Sequence, residues 1–383
     1  MFTKKTTAIL FAFLGLFLIY YSTSAGNTPY NYFNYFAERL LVGELDLVNT
    51  PNWLNELAPF AGKKYLVYPP MPSVLLLPFV ALWGVNFPQQ FLAHTLGAGI
   101  TLLTYKLALN LDKSKSTAAW ISFTLGLGSI VWYMSSTGSA WVLGQLTASF
   151  FITLGLVEAT DKKRPVLVGA FLGMAFLARL QTILFIILFS ALYLNEQKKF
   201  NKIVKLFITT GLFVLINMAY NHARFGTITN IAYKLIPGVL EEPWYQEGLF
   251  SISYIPRHLK IVFTKLPKLQ NTFPFFTPSW GGLAIWITTP AFIIALKAKL
   301  KNKTNLAAWG TIVTVATIAF MYGSTGFTQF GYRYAVDFYP ALIFLMIQAT
   351  DKPTKWYWIL SIIGFVVNLW GVVWINKFGW VGW

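Results

Sequence analysis

The sequence predicts an all-α polytopic membrane protein with about eleven transmembrane helices. Of its 383 residues, 56% are hydrophobic and only 11% are charged, whereas about 25% of the residues in a soluble domain are charged. The hydrophobic residues form long runs, and the net charge of +17 is concentrated in short basic clusters between them. This distribution is typical of membrane proteins and argues against a nucleic-acid partner. The absence of cysteine excludes disulfides, thiolate metal sites and a cysteine nucleophile.

Apolar runs long enough for transmembrane helices recur along the chain. The first, Thr6–Ser22, follows Lys4 and Lys5, and we interpret it as a retained helix rather than a cleaved signal peptide. The later runs are 90–109, 117–134, 141–157, 166–194, 204–221, 279–296, 306–322, 334–349 and 356–375. Basic clusters lie between them at 113–115, 162–164, 198–205, 297–303 and 352–355. The positive-inside rule places these clusters, and the N-terminus, in the cytoplasm.

Two ambiguous segments are interpreted by keeping every basic cluster on one side. The run Met71–Val85 is short and begins at a Pro-rich turn, so we expect an interfacial or re-entrant segment on the outer side. The run 166–194 has Arg179 in its middle, so we expect two shorter helices that meet near residues 179–182. Residues 1–383 are then one transmembrane domain of the cell membrane, with its C-terminus on the extracytoplasmic side.

Two long segments, 23–89 and 222–278, are predicted to face outward, whereas the cytoplasmic connections are short. Loops held by a rigid scaffold commonly carry function, so we expect the functional surface on the extracytoplasmic side. Within the second segment, apolar positions between residues 255 and 266 alternate with basic residues and predict an amphipathic helix on the outer surface. This helix would bind anionic headgroups or guide an anionic lipid substrate.

The first outer segment contains the candidate functional carboxylates. Its residues 31–43 have the spacing of an amphipathic helix lying on the membrane, with Glu38 on the polar face beside Asn31, Asn34 and Tyr35. We favour Glu38 among the carboxylates of this segment because a helix would fix its position. The other candidates are Glu44, Asp46 and Glu56. For each of these carboxylates the alternative is a solvated, charged loop.

Arginines near the outer interface are candidate phosphate ligands. Arg333 precedes the tenth predicted span, and Asp337 lies about one helical turn deeper, where a charge is costly and often functional. Arg179 approaches from another helix, and Arg224 ends a further helix close to Asn221. A guanidinium group binds phosphate oxygens through two parallel hydrogen bonds. The alternative is a purely structural pair between Arg333 and Asp337.

Several motifs, taken in order, resemble the GT-C superfamily of integral membrane glycosyltransferases. The resemblance is greatest to the protein O-mannosyltransferases and aminoarabinose transferases, the glycosyltransferase family 39-like group. The motifs are Tyr35–Gly43, Gly62–Pro70 with the following Leu75–Phe79, Gly169–Arg179, Tyr220–Gly226 and Gly331–Pro340. Many relatives carry an acidic pair directly after the first span, and this chain has Asn27-Thr28-Pro29 there instead.

The resemblance implies a GT-C fold and an inverting glycosyl transfer on the outer face. A polyprenyl-phosphate sugar would be the donor, and a hydroxyl of a glycan, lipid or protein would be the acceptor. A carboxylate of the first outer segment would act as general base, and arginines would bind the leaving phosphate without a metal. A divalent cation at Glu44 and Asp46 is the alternative. The candidate substrate-binding residues are Tyr35, Tyr68, Tyr332, Asp337 and Asn221.

Two other functions stay open. One is a lipid-linked polysaccharide polymerase or ligase, which shares a polytopic body with arginines in its outer loops. The other is a transporter or flippase for an anionic lipid, which predicts charged residues along a pathway across the bilayer. The sequence shows no internal repeat, so an inverted-repeat transporter gains no support.

Overall fold

The computed structural model describes residues 4–194, 196–327 and 329–381; the terminal residues 382–383, predicted to lie on the outer side, are outside it. Helices dominate this part of the chain. They are α1 Lys4–Ser22, α2 Tyr32–Leu41, α3 Met71–Trp83, α4 Gln90–Asn110, α5 Lys115–Gly126, α6 Val131–Thr137, α7 Ala140–Thr160, α8 Pro165–Phe176, α9 Ile186–Tyr193, α10 Lys199–Phe225, α11 Ile255–Thr264, α12 Ile285–Thr288, α13 Lys303–Phe320, α14 Tyr339–Ala349 and α15 Lys355–Val373. The strands are β1 Asp46–Leu47, β2 Leu57–Phe60, β3 Lys63–Leu66, β4 Lys268–Leu269 and β5 Phe276–Thr277.

Few of the described helices are long and apolar enough to cross a membrane alone. These are α7, α10 and the continuous stretch Lys355–Phe378 that begins with α15. The pair α5 and α6, bent by 54°, adds a fourth if it is one span. The expected number of about eleven spans is therefore not confirmed, because several predicted runs are short or broken helices.

The run 279–296 illustrates how such a prediction fails. It forms only the single turn α12 and a 3-10 turn, Pro290–Lys297. Thr289 between them leaves the helical conformation, with φ −146° and ψ 69°, and Pro290 has no N–H with which to continue the α-helical hydrogen bonds. Hydrophobicity alone does not distinguish such a segment from a continuous helix.

The run 166–194 breaks where the sequence predicted. Helix α8 ends at Phe176, Arg179 is extended with φ −150° and ψ 108°, and a 3-10 turn, Leu180–Phe185, leads into α9. The break directs the arginine side chain away from the helix and into the space next to α7.

Helix α3 is anchored at both ends to the outer part of the molecule. The N–H of Met71 donates to the carbonyl of Leu177, just after α8, at 3.0 Å. Beyond the other end of α3, the amide Nδ2 of Asn34 donates to the carbonyls of Val85 and Phe87 at 2.8 and 2.6 Å. These contacts hold the ends of α3 close to α2 and to the break after α8, and the interfacial or re-entrant placement of the segment stays a prediction.

A small sheet of the segment 23–89 packs against the end of α10. Strands β1, β3 and β2 lie antiparallel in that order, with Tyr65 of β3 opposite Asp46 and Ala58. The ring of Phe225 packs against Tyr65 at 5.3 Å between ring centres. This contact joins the segment 23–89 to the start of the segment 222–278.

The basic clusters meet at the other end of the helices. Helix α7 begins beside the outer segments and ends at Thr160, just before the 162–164 cluster. There Lys163 and Lys202 both pair with Glu196, at 2.6 and 3.3 Å. Lys113 likewise pairs with Asp351 at 2.7 Å. The molecule therefore has one end that carries the outer segments and one that carries the lysine clusters.

Candidate active site

A cavity of about 420 Å³ lies between the first outer segment, the start of α7, the break at Arg179 and the end of α13. Its size falls within the range of small-molecule sites. One part of the wall is apolar, and the other carries charged, amide and aromatic groups. The apolar residues include Phe33, Val67, Ile183, Leu184, Leu249, Phe250 and Ile318. The polar and aromatic residues include Tyr68, Trp141, Gln145, Arg179, Gln181, Asn230, Tyr233, Tyr322, Arg333 and Tyr334.

The half-buried carboxylate of Glu56 lies next to this wall, hydrogen-bonded to two of its residues, Tyr68 and Trp141. The hydroxyl of Tyr68 donates to Glu56 Oε2. The indole Nε1 of Trp141 donates to Oε1 and Oε2 at 3.1 and 3.2 Å. Removal from water raises the pKa of Glu56, and the two donors offset only part of that rise. A carboxylate with a raised pKa is a stronger base for a hydroxyl proton.

Arg333 supplies a buried positive charge. Its Nη1 donates to the carbonyl of Trp141 at 2.6 Å, and its Nη2 donates to the hydroxyl of Tyr334 at 3.3 Å. Within the described part of the chain, Nε has no hydrogen-bond partner. Neutral groups thus hold this guanidinium, which leaves its charge available to an anionic ligand. The N-terminal end of α7, where helix dipoles also favour anions, lines the same space.

Asp337 pairs with Arg179 rather than with Arg333. The Nη2 of Arg179 lies 2.9 Å from Asp337 Oδ2, and Gln181 Nε2 donates to the same oxygen at 2.7 Å. The predicted alternative, an intrahelical pair between Arg333 and Asp337, is wrong. Residues 333–337 form a 3-10 turn with about 3.0 residues per turn, so positions i and i+4 do not share a face.

The two arginines both lie near the ring of one tyrosine. The guanidinium carbon of Arg333 lies 4.8 Å from the ring centre of Tyr334, and that of Arg179 lies 5.8 Å from it. Both side chains line the cavity. The structure thus brings together two cationic groups that the sequence could only propose to converge.

Glu38, the base favoured from sequence, lies outside the cavity wall. It is exposed on α2. The expected polar face does not orient it, because Asn34 is buried and its amide holds residues 85 and 87 instead. Tyr35, on the same helix, is also absent from the cavity lining.

Glu44 and Asp46 pair with cationic side chains near β1. The Nζ of Lys63 lies 3.8 Å from each carboxylate, and Arg39 Nη2 lies 3.2 Å from Asp46. Desolvation acts to raise the pKa of Asp46, but the hydrogen bond from Arg39 and the charge of Lys63 outweigh it and lower that pKa. These carboxylates therefore form ion pairs at the sheet and do not line the cavity.

Arg224 and Asn221 fasten the end of α10 to the sheet. Arg224 Nη1 donates to the carbonyl of Leu66 at 2.7 Å, and its Nη2 donates to Asn221 Oδ1 at 2.9 Å. The guanidinium also stacks on Tyr220, 3.7 Å from the ring centre. Tyr332 is buried below the cavity and bonds His258 Nδ1 at 2.7 Å. Of the candidates proposed from sequence, Tyr68, Arg179 and Arg333 line the cavity, and Glu56 and Asp337 hydrogen-bond to lining residues.

The sequence reading missed Trp141, Gln181 and three cavity tyrosines. Tyr233, Tyr322 and Tyr334 line the space in succession, with 6.1 and 6.2 Å between neighbouring ring centres. In a chain with 18% aromatic residues, such side chains resemble membrane-interface anchors. Trp141 begins the uncharged predicted span 141–157, at the end away from the 162–164 basic cluster, and this position was the available signal.

No protein-family model and no curated protein sequence matches the chain. Among solved structures, ArnT from Cupriavidus metallidurans bound to undecaprenyl phosphate is similar, with TM-score 0.57 and 13% identity, over 94% of this chain and 63% of that one. The Archaeoglobus fulgidus oligosaccharyltransferase in the apo form is similar with TM-score 0.52 and 13% identity, over 96% of this chain and 55% of that one. The chain thus spans about 63% of the length of ArnT. Both similar structures are glycosyltransferases with the GT-C fold, and this chain has the GT-C fold.

Proposed function

We propose that this protein is a membrane glycosyltransferase that moves a sugar from a polyprenyl-phosphate donor to an acceptor hydroxyl. The observation that carries the proposal is a carboxylate, Glu56, and a guanidinium, Arg333, that both hydrogen-bond to Trp141 in the wall of one cavity. The GT-C fold supports it, as does the undecaprenyl phosphate bound to the similar ArnT structure.

Glu56 is the proposed general base. The acceptor oxygen attacks the anomeric carbon of the sugar while its proton passes to the Glu56 carboxylate. The new glycosidic C–O bond forms as the bond between the anomeric carbon and the phosphate oxygen breaks. Attack from the side opposite the phosphate inverts the configuration at that carbon. General-base catalysis of this kind contributes about 10²–10⁴-fold to the rate.

Arg333 is the proposed ligand of the leaving phosphate, with Arg179 as its neighbour. The phosphate departs with the bonding electron pair and gains negative charge, which two guanidinium groups stabilise in a partly desolvated cavity. Arg333 Nε is buried and without a partner among the described residues, so it is available to one phosphate oxygen. Two arginines supply the positive charge that a divalent cation supplies in other enzymes, and the proposed reaction is metal-independent.

The remaining parts of the proposal follow from the two ends of the molecule. The cavity lies at the end with the outer segments, so the reaction belongs on the extracytoplasmic face of the cell membrane, where a glycan, lipid or protein acceptor is present. Tyr68 and its aromatic neighbours are positioned to stack on the sugars.

A donor panel tests the proposal. The purified protein, in lipid nanodiscs, is incubated with polyprenyl-phosphate sugars and a mixture of acceptors, and release of polyprenyl phosphate is measured. We expect acceptor-dependent release with at least one donor. Polyprenyl-diphosphate glycans form a second arm, since their exclusive use would indicate a polymerase or ligase. Movement of a lipid between leaflets without release of its phosphate would overturn the proposal in favour of a flippase.

A further inference from the structure

One residue, Trp141, contacts both proposed catalytic groups. Its side-chain Nε1–H donates to the two carboxylate oxygens of Glu56 at 3.1 and 3.2 Å. Its main-chain carbonyl accepts from Nη1 of Arg333 at 2.6 Å. The side chain and the main chain of a single residue thus serve two different partners.

The surroundings of Trp141 fix its orientation. Its ring lies against Tyr30, with 4.4 Å between ring centres. The N–H of the preceding Ala140 donates to the carbonyl of Tyr30 at 3.2 Å. Further along α7, Gln145 Nε2 donates to the carbonyl of Arg333 at 2.9 Å. The first residues of α7 therefore bind both the guanidinium and the backbone of Arg333, and the indole of Trp141 binds Glu56.

We propose that Trp141 is a positioning residue that sets the separation and orientation of Glu56 and Arg333, and this inference rests on the proposed function. Acceptor oxygen and donor phosphate must be held at a defined separation for in-line transfer. Trp141 provides that separation through a rigid helix start rather than through a loop.

The charged and titratable groups around Glu56 determine what the indole contributes. They come from α2, the β3–α3 connection, the second outer segment, the end of α13 and the turn before α14. They are Tyr32, Tyr68, Glu242, Tyr233, Tyr322 and Arg333. Arg333 favours the ionised carboxylate and Glu242 disfavours it. Among the described residues, Tyr68 and Trp141 donate directly to the carboxylate oxygens, so loss of the indole N–H removes one of these two donors to the anion.

Trp141→Phe separates the two contacts. It keeps an aromatic ring against Tyr30 and keeps the main-chain carbonyl that binds Arg333, but it removes the N–H. We expect the acid limb of the kcat/KM–pH profile to move to higher pH by about one unit, since a hydrogen bond to a charged group has about that effect on a pKa. The donor KM should change by less than about twofold, because the Arg333 contact remains. The matched control is Trp83→Phe, because the ring of Trp83 is exposed on α3. This variant should leave the pH profile unchanged.

A second variant covers the case in which Trp141→Phe does not fold. Tyr30→Leu keeps the indole N–H but removes the ring that orients it, so a smaller shift in the same direction is expected. An unchanged acid limb in a folded Trp141→Phe, or in Tyr30→Leu if only that variant folds, would refute the positioning role. A wild-type protein that transfers no sugar would refute the proposed function instead, so the two failures are distinguishable.

Discussion

At the scale of single residues, Glu38 and Glu56 show how environment separates two identical side chains. Glu38 is exposed to water on α2, whereas Glu56 accepts hydrogen bonds from Tyr68 and Trp141 in the cavity wall. We therefore expect Glu56→Gln to lower kcat by two or more orders of magnitude, because the amide cannot accept the proton. Donor binding should stay close to that of the wild type. The measurement is steady-state transfer together with donor binding.

The matched control for that variant is Glu38→Gln, which makes the same chemical change outside the cavity and should keep near-normal turnover. An inactive Glu38→Gln beside an active Glu56→Gln would return the base assignment to α2. The sequence could not decide between them, because helical periodicity fixes which residues share a face but not which face meets a cavity.

If Arg333 binds the donor phosphate, its replacement by lysine and by alanine should impair donor use to different degrees. Lysine keeps the positive charge but lacks the planar pair of donors, so Arg333→Lys should raise the donor KM by about tenfold, which corresponds to about 1.4 kcal/mol. Arg333→Ala should abolish transfer. Arg164→Lys is the matched control, because Arg164 pairs with Glu158 at 2.7 Å at the other end of the helices. Donor use by Arg333→Ala at the wild-type level would make Arg333 a purely structural residue.

At the scale of elements, His258 fastens the amphipathic helix α11 beneath the cavity. Its Nε2 lies 2.7 Å from the carbonyl of Tyr322, which can only accept, so Nε2 carries the proton. Its Nδ1 then accepts from the hydroxyl of Tyr332 at 2.7 Å. Burial, which disfavours the charged imidazolium, lowers the pKa of His258 from 6.5 to about 4.

This contact predicts a pH-dependent stability. The unfolded chain takes up the His258 proton as the pH falls through 6.5 while the folded chain does not until about 4. The contribution of the neutral, buried His258 to the free energy of unfolding is therefore fully present above pH 6.5 and is lost as the pH falls from 6.5 to about 4. It amounts to about 3 kcal/mol or less. Thermal unfolding in detergent between pH 4 and 7 should show a flatter dependence for His258→Gln than for the wild type. The exposed His222→Gln is the control, and identical slopes in all three proteins would contradict the assignment.

The packing of α8 against α10 depends on two glycines. A Cβ on Gly169 would lie 2.8 Å from the carbonyl oxygen of Leu206, and one on Gly173 would lie 2.2 Å from the ring of Phe213. Gly173→Leu should therefore force the helices apart and lower the stability by about 1–3 kcal/mol, measured as a lower melting temperature. Gly211→Ala on α10 is the control, since its Cβ would meet nothing within 4 Å. Equal melting temperatures for Gly173→Leu and the wild type would contradict this account of the packing.

The elements also show where sequence reasoning succeeds. The break at Arg179 could be predicted, because one straight helix would have moved a lysine cluster to the wrong side. The irregular segment 279–296 could not, because its apolar composition matches a span and its interruption at Thr289–Pro290 depends on local backbone geometry. Breaks that carry a charge leave a signal in the sequence, whereas breaks within apolar stretches do not.

At the scale of the whole molecule, the charge distribution favours an enzyme over a transporter. Arg179, Arg333 and Glu56 gather where α7 begins, and the lysine clusters gather where α7 ends. Along α7 itself, residues 140–157 contain no charged side chain. The fold class could be predicted because hydrophobic runs and lysine placement are whole-chain properties. The cavity could not, because it is assembled from segments far apart in the sequence.

The orientation of these two ends in the membrane can be tested by cysteine labelling. The chain has no native cysteine, so single cysteines can be introduced at exposed positions without a background. Thr229→Cys lies in the second outer segment and Lys301→Cys lies in a basic cluster; both residues are exposed. A membrane-impermeant maleimide should label residue 229 from outside intact cells and residue 301 only after permeabilisation, because the positive-inside rule predicts a cytoplasmic location for the lysine clusters. Leu82→Cys on α3 should behave like residue 229, since both ends of α3 are held at the cavity end. Labelling of residues 229 and 301 from the same side would contradict the two-ended arrangement, and the reverse pattern would place the proposed reaction on the cytoplasmic face.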